Sequence, residues 1–260
     1  MKRKQILFTL LLIFIIYCIL IEPNLITVKR LNLKSDIFPK MRIVFVTDFH
    51  LSKFARLRLK RIVNKVNKLE PDLVISGGDY ALSHDIKKTL NPDIIAEELS
   101  KIESRYGFYT VFGNHDYYKD GDEFKRIFKK HNINILENSN VKIVNGEKLF
   151  YLAGIPDMLT ARYDLDKALY KTLRPVILVS HTPDITPLAQ DKVDLILSGH
   201  LHGGQVRVPF FGALYLPSKY GKKYETGLID NVVYVSRGLG TSLFKIRFNC
   251  SPEITVIDYN

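Results

Sequence analysis

Ser198-Gly199-His200-Leu201-His202-Gly203-Gly204-Gln205 places two histidines in a glycine-rich turn directly after the apolar run Val193 to Leu197. A short apolar run closed by glycines reads as a buried strand and the turn at its carboxyl end. In an extended segment successive side chains alternate, so His200 and His202 are expected to project to one side and reach one ion or two adjacent ions. That is half of a metal site, and other strand ends must supply the rest.

Four further apolar runs end the same way. Arg42 to Thr47 leads into Asp48-Phe49-His50, Pro71 to Ser76 into Gly77-Gly78-Asp79, Gly107 to Phe112 into Gly113-Asn114-His115-Asp116, and Val176 to Ser180 into His181. Between them, Phe54 to Leu69 has helical spacing at positions 59, 62, 63, 66 and 69 with a basic outer face. Ile86 to Glu103 is expected to be a second helix, with Pro92 at a helix start near Asn91, and Phe124 to His131 a third, its terminal histidine facing the helix dipole. Strand, polar residues, helix, strand is the pattern of βαβ units, whose functional groups gather at the carboxyl ends of a parallel sheet. Shorter runs at 133–136, 141–144, 149–153, 232–236 and 253–259 make the second half predominantly strand.

Imidazole mixed with carboxylate and amide suits manganese, iron or zinc better than magnesium or calcium, which take all-oxygen shells. A lone Asp79 among these groups is placed to bridge two ions, as in two-metal hydrolases. The chain has 260 residues, enough for a full core, and a net charge of +11, which points to anionic partners without choosing among them. With two cysteines, Cys18 and Cys250, neither a disulfide framework nor a cysteine-based zinc site is available.

Ile6 to Ile21 is apolar apart from Thr9, preceded by Lys2-Arg3-Lys4 and followed by Glu22-Pro23-Asn24. No small-residue cleavage motif follows, so an uncleaved single-pass anchor is expected in preference to a removed signal. Lys29, Arg30, Lys34, Lys40 and Arg42 outnumber the basic residues before the apolar run, which leans the following domain towards the cytoplasmic face. The expected division is an anchor at 1–21, a linker at 22–40 and one domain at 41–260.

Asp48-x-His50, Gly78-Asp79, Gly113-Asn114-His115-Asp116, His181 and Gly199-His200-x-His202 together, in this order, resemble the calcineurin-like metallophosphoesterase superfamily. The resemblance implies an α/β fold, a four-layer α/β/β/α sandwich of two mixed sheets. It implies two divalent transition-metal ions, the first held by Asp48, His50 and His202, the second by Asn114, His181 and His200, with Asp79 bridging. It also implies a hydroxide held between the ions that attacks phosphorus in line, His115 serving the leaving oxygen, and Asp116 orienting the His115 imidazole. Gly203-Gly204-Gln205, Pro217-Ser218-x-Tyr220-Gly221, Arg237-Gly238-Leu239-Gly240 and Pro252-Glu253 resemble the membrane-associated, YkuE/YaeI-like phosphodiesterase branch. That branch is similar to chlamydial-type UDP-2,3-diacylglucosamine pyrophosphatases. Phe49, Tyr80 and Leu201 stand where other residues are more usual, and none is a ligand position.

The expected activity is hydrolysis of a phosphodiester or pyrophosphate in a phosphorylated lipid or nucleotide-type substrate at the lipid bilayer, with a soluble substrate as the alternative. Nucleic acid is set aside as a partner because the extra DNA-handling domains would not fit this length. A scaffold that kept the fold without catalysis is opposed by the intact ligand set. His84, Arg207 and Arg237, with Lys222 and Lys223, are candidate substrate contacts. Phe210 to Leu216 reads as core or a hairpin in preference to an acyl-chain groove.

Overall fold

The computed structural model describes residues 2–82 and 87–260, and the chain is built on two mixed six-stranded sheets. An apolar helix, α1 (Lys2–Ile16), continues through Tyr17–Ile21 and Glu22–Asn24. It is the one helix among the described residues long and apolar enough to cross a membrane. The first sheet holds β1 (Thr27–Leu33), β2 (Met41–Val46), β3 (Leu73–Ser76), β4 (Phe108–Thr110), β5 (Asn134–Ile135) and the last strand, β14 (Glu253–Tyr259), in the order β1-β14-β2-β3-β4-β5. Strands β2 to β5 run parallel, and β14 is antiparallel to β2. Their crossovers carry α2 (Arg56–Asn67), α3 (Pro92–Leu99) and α4 (Asn114–Lys130).

The second sheet has the order β12-β13-β9-β8-β7-β6, from β6 (Ser139–Asn145), β7 (Lys148–Gly154), β8 (Val176–Val179), β9 (Leu195–Ser198), β12 (Gly227–Ile229) and β13 (Val233–Val235). Short helices α5 (Leu165–Ala168) and α6 (Thr186–Ala189) lie on its outer side, and β10 (Arg207–Val208) pairs with β11 (Gly212–Ala213) as a separate hairpin.

Alternation along the strands explains the layering. Ile43 and Phe45 of β2 face Leu152, Ile177, Val179 and Leu197 of the second sheet, whereas Val44 and Val46 face Leu59, Ile62 and Val66 of α2. A third cluster packs Leu178 and Ile196 against Ile185 and Ala189. Three apolar layers between four structural layers give the α/β/β/α sandwich, with parallel strands of both sheets pointing their carboxyl ends at one edge.

Three boundaries differ from expectation. The segment 22–40 is not a linker, because β1 pairs with β14 along Thr27–Leu33 and makes the sheet edge. Lys29, Arg30 and Asn32 interrupt its partly buried positions, Val28 packing on the helix side of the sheet and Leu31 and Leu33 on the side of the second sheet, so no single alternation runs through it. Helix α3 starts only at Pro92, capped by the Asn91 side chain, while Thr89 bridges to Ser52. Helix α4 begins ten residues before Phe124, at Asn114, because its first turn faces the polar strand ends and so lacks the apolar period. His131 does close α4, with Nε2 3.0 Å from Asp93 Oδ1. The basic face of α2 is largely engaged: Arg56 bonds Glu97 and Glu98, Arg58 the carbonyls of Pro23 and Leu239, and Lys65 the Ile26 carbonyl.

A chain shortened to begin at Lys40 would lose β1 and bare the β14 edge, which invites intermolecular strand pairing. Thermal melting and light scattering should show a lower Tm and aggregation relative to a chain beginning at Glu22. Equal Tm values would contradict the structural role of β1.

Candidate metal centre

The seven expected ligands converge at the carboxyl ends of β2, β3, β8 and β9 and the first turn of α4. Five of them carry left-handed backbone: Asp48 (φ 55°), His50 (φ 42°), Asp79 (φ 56°), His200 (φ 68°) and His202 (φ 51°). Such angles are uncommon for residues with a Cβ and persist where the surroundings over-determine them. The His200–His202 segment is therefore a sharp turn and not the extended segment assumed from sequence. The turn is stitched to the neighbouring strand ends. His200 N–H donates to both Asp48 carboxylate oxygens at 3.0 and 3.1 Å, and His50 N–H donates to the Asp79 carbonyl at 3.0 Å.

Two glycines make this approach possible. A Cβ on Gly199 would meet the Asp48 carboxylate and Thr47 Oγ1, and one on Gly113 would meet the Asp79 carboxylate, with His181 Cε1 2.7 Å away. The ligand-bearing loops thus touch through backbone.

Side-chain geometry divides the ligands into two groups around Asp79. Nε2 atoms of His50 and His202 lie 3.0 Å apart, each 3.5 Å from a carboxylate, His50 from Asp79 Oδ2 and His202 from Asp48 Oδ1. On the other side His181 Nε2 lies 3.3 Å from the same Asp79 Oδ2, 3.2 Å from Asn114 Oδ1 and 3.2 Å from His200 Nδ1. Asp79 Oδ1 accepts the backbone N–H of His115 at 2.9 Å, which fixes the carboxylate with Oδ2 between the two groups.

The donor chemistry fits cations. Each of the two pairs of imidazole nitrogens facing each other near 3 Å needs either one N–H pointing at the other's lone pair or a cation between them, and neutral imidazoles clustered with carboxylates and an amide oxygen are the donor set of a divalent transition metal. Burial lowers His50 and His200 to about 3 and His202 well below its ordinary value, so all three are the neutral, metal-ligating form. Burial also works against the Asp79 charge, but His181 and His50 hold it below the carboxylate range. Burial pushes Asp48 up to about 7, with the Asp79 charge adding to it. His181 goes the other way: burial lowers it, yet Asp79 and Asp48 raise it to about 10. A proton on His181 thus answers the same negative field that a bound cation would.

His115 lines the cavity of about 230 Å³ beside Asp79, Asn114, His200 and His202. Its Nδ1 lies 3.0 Å from the Leu82 carbonyl, so Nδ1–H donates there. Asp116, expected to orient His115, does not contact it through its carboxylate. Asp116 is fully buried and accepts four backbone N–H groups, those of Asp79, Tyr80, Ala81 and Gly113, at 2.8 to 3.1 Å. Both of its oxygens are engaged in shaping the loop that presents Asp79, and the Leu82 carbonyl orients His115 instead.

Arg207 and Arg237, expected to contact substrate, do not line the cavity. Arg207 is bound to Glu225 at 2.6 Å beside the β10–β11 hairpin, and Arg237 faces Glu253 at 3.7 Å. Lys222 donates to the Phe211 carbonyl, and Lys223 lies over the Tyr224 ring. His84 lies outside the described residues. Phe49 and Tyr80 are buried and stack with ring centroids 4.9 Å apart, a packing role at positions where they departed from the usual pattern. Sequence reasoning missed Arg247, which is fully buried and donates to the carbonyls of Arg237, Gly238, Gly240 and Cys250. It fastens the 237–240 loop, whose Gly240 N–H bonds the Asp48 carbonyl. A lone arginine in an irregular tail carries no pattern that marks such a clamp.

Gly113→Ala should weaken binding of divalent transition metal sharply while leaving far-UV circular dichroism unchanged, as measured by equilibrium dialysis. Unchanged affinity would show that the Gly113–Asp79 approach is not needed.

The family model for calcineurin-like phosphoesterases matches residues 41–204. The chain is 30% identical over 254 residues to the uncharacterized metallophosphoesterase YkuE of Bacillus subtilis, covering 92% of this chain and 87% of that protein. It is 32% identical over 238 residues to phosphodiesterase YaeI of Escherichia coli, covering 88% and 86%. It is 33% identical over 243 residues to a Danio rerio transmembrane protein with a metallophosphoesterase domain, covering 84% of this chain and 52% of that one. With its ligand set assembled at the strand ends, the chain belongs to the calcineurin-like phosphoesterase family, in the branch of YkuE and YaeI, and is a metal-dependent phosphoester hydrolase.

Proposed function

We propose that this protein cleaves a phosphodiester or pyrophosphate bond in a lipid-linked or nucleotide-containing substrate, of the kind represented by UDP-2,3-diacylglucosamine, while anchored by α1 in a bilayer. The observation that carries the hydrolytic part is the position of Asp79 Oδ2, 3.5 Å from His50 Nε2 and 3.3 Å from His181 Nε2. Asp48, His50 and His202 would hold one divalent ion and Asn114, His181 and His200 a second, with Asp79 shared. The ions are manganese, iron or zinc by donor type. Two such ions, when bound, neutralise phosphoryl oxygens and bring water to nucleophilic form near neutral pH.

The chain's own residues do the remainder. His115 stands at the cavity wall with Nδ1–H held by the Leu82 carbonyl, which directs the Nε2 side of the ring away from that bond. Protonated there, it hands a proton to the leaving oxygen, or stabilises the charge developing on it. Asp116 keeps Asp79 in register through the backbone. A diester is favoured by the similarity to YaeI, whose name is phosphodiesterase. A membrane-delivered substrate is favoured by α1 and by the transmembrane relative. The excess of basic residues after α1 favours a cytoplasmic domain.

His115→Ala should keep its metal and lose turnover by roughly a hundred- to ten-thousandfold, the span of general acid catalysis. Asp79→Ala should lose metal as well, as elemental analysis of both variants would show. Wild-type turnover by His115→Ala would remove the acid role. With manganese present, bis-p-nitrophenyl phosphate and UDP-2,3-diacylglucosamine should be hydrolysed faster than p-nitrophenyl phosphate. Preference for the monoester would contradict the diester or pyrophosphate reading.

A further inference from the structure

The loops around the metal centre expose large apolar side chains that the hydrolytic chemistry does not use. Leu243 is 90% exposed and Phe244 74%, and Phe210 and Phe211 at the tip of the β10–β11 hairpin are as open. Leu243 and Phe210 hold these exposed positions with φ of 56° and 69°. Left-handed backbone is unfavourable for a bulky residue, and no buried contact repays it in water. Folded soluble surfaces rarely gather apolar side chains in this way without a partner.

The two loops are one surface. Gln205 ties them, its side chain bonding Ser242 N–H and the Ser242 and Phe244 carbonyls, while Phe248 N–H bonds the Gln205 carbonyl and Arg207 N–H the Phe248 carbonyl. That surface is fixed to the apolar helix. Phe248 packs edge-on against Phe14 with ring centroids 5.0 Å apart, Arg247 N–H bonds the Cys18 carbonyl, and the buried Glu22 carboxylate accepts the N–H groups of Asn249 and Cys250. Phe14 lies seven residues before the end of the apolar run at Ile21, about 10 Å along a helix rising 1.5 Å per residue. A loop that reaches Phe14 is therefore level with apolar chain and not with water whenever α1 is in a membrane. Between this rim and the metal centre runs a groove of about 890 Å³, bounded by Pro23 and Asn24 at the helix base, by Leu243, Phe244 and Lys245, and by His50 and His115 at its inner end.

We propose that the Phe210–Phe211 hairpin tip and the Leu243–Phe244 loop are a membrane-docking rim that inserts into the same bilayer as α1, so that the groove opens at the lipid headgroup level and a headgroup phosphate enters it without crossing water. Lys245, exposed beside Phe244, meets anionic headgroups there. The inference rests on the reading of α1 as an anchor, and it adds which face of the domain lies against the membrane.

The chain contains no tryptophan, so single introduced tryptophans report depth without background. Full-length Phe244→Trp, Phe211→Trp, Phe8→Trp in α1 and Leu173→Trp would be reconstituted into phosphatidylcholine–phosphatidylglycerol vesicles containing acyl-chain-brominated lipid. Leu173 is an exposed reference at the amino end of β8, the end opposite the metal centre. Phe8→Trp, Phe244→Trp and Phe211→Trp should be blue-shifted and quenched severalfold more by bromine than Leu173→Trp. Quenching of Phe8→Trp with both rim tryptophans as aqueous as Leu173→Trp would overturn the rim while leaving the anchor standing. Absence of quenching in Phe8→Trp would overturn the anchor and the rim with it.

Discussion

One buried carboxylate oxygen organises the site. Asp79 Oδ2 lies within 3.5 Å of imidazole nitrogens from two different sheets, His50 at the end of β2 and His181 at the end of β8. A charge this deeply buried is costly unless it is paired, so every surrounding group is placed to answer it. Burial keeps His50, His200 and His202 neutral, the Asp79 field holds the proton on His181, and Asp116 spends its own charge on four backbone donors. The two sheets meet at this oxygen, and the apolar layer between them sets their spacing.

That convergence requires strained backbone held by its neighbours. Five ligand residues sit at positive φ, and the loops bearing them are joined by direct bonds, His200 to Asp48, His50 to Asp79 and Gly240 to Asp48. The restraint extends to the amino-terminal helix. Glu22 holds Cys250, whose Sγ lies 3.3 Å from the His202 carbonyl, and buried Arg247 holds the 237–240 loop. Catalytic domain and apolar helix are thus mechanically continuous, which a flexible linker would not provide.

Much of this was legible in the sequence because ligands closing β-branched runs are a chemical pattern. The candidate ligands at the strand ends and the βαβ start follow from it, whereas the four layers and the division of the ligands between two ions follow from the resemblance to the metallophosphoesterase superfamily. What was not legible lacks a local pattern. Thr27–Leu33 alternates too weakly to read as a strand and is one only because β14 offers an edge. The first turn of α4 is polar because it faces the metal centre, so its helix was seen only from Phe124 onward. Asp116 stands next to His115 in sequence, yet its side chain turns towards the N–H groups of Asp79 to Ala81, because a helix places neighbouring residues on different faces. Arg207 and Arg237 are basic residues near the site that are bound or facing acidic partners, a distinction charge alone does not make.

Asp79 joins two cation sites into one centre. Electron paramagnetic resonance of the protein loaded with manganese(II) tests it most directly, because two ions sharing a carboxylate oxygen are magnetically coupled. Saturating metal should give an exchange-coupled spectrum that His202→Ala converts into the signal of an isolated ion. A spectrum of isolated, non-interacting manganese at saturation in the wild-type protein would contradict it.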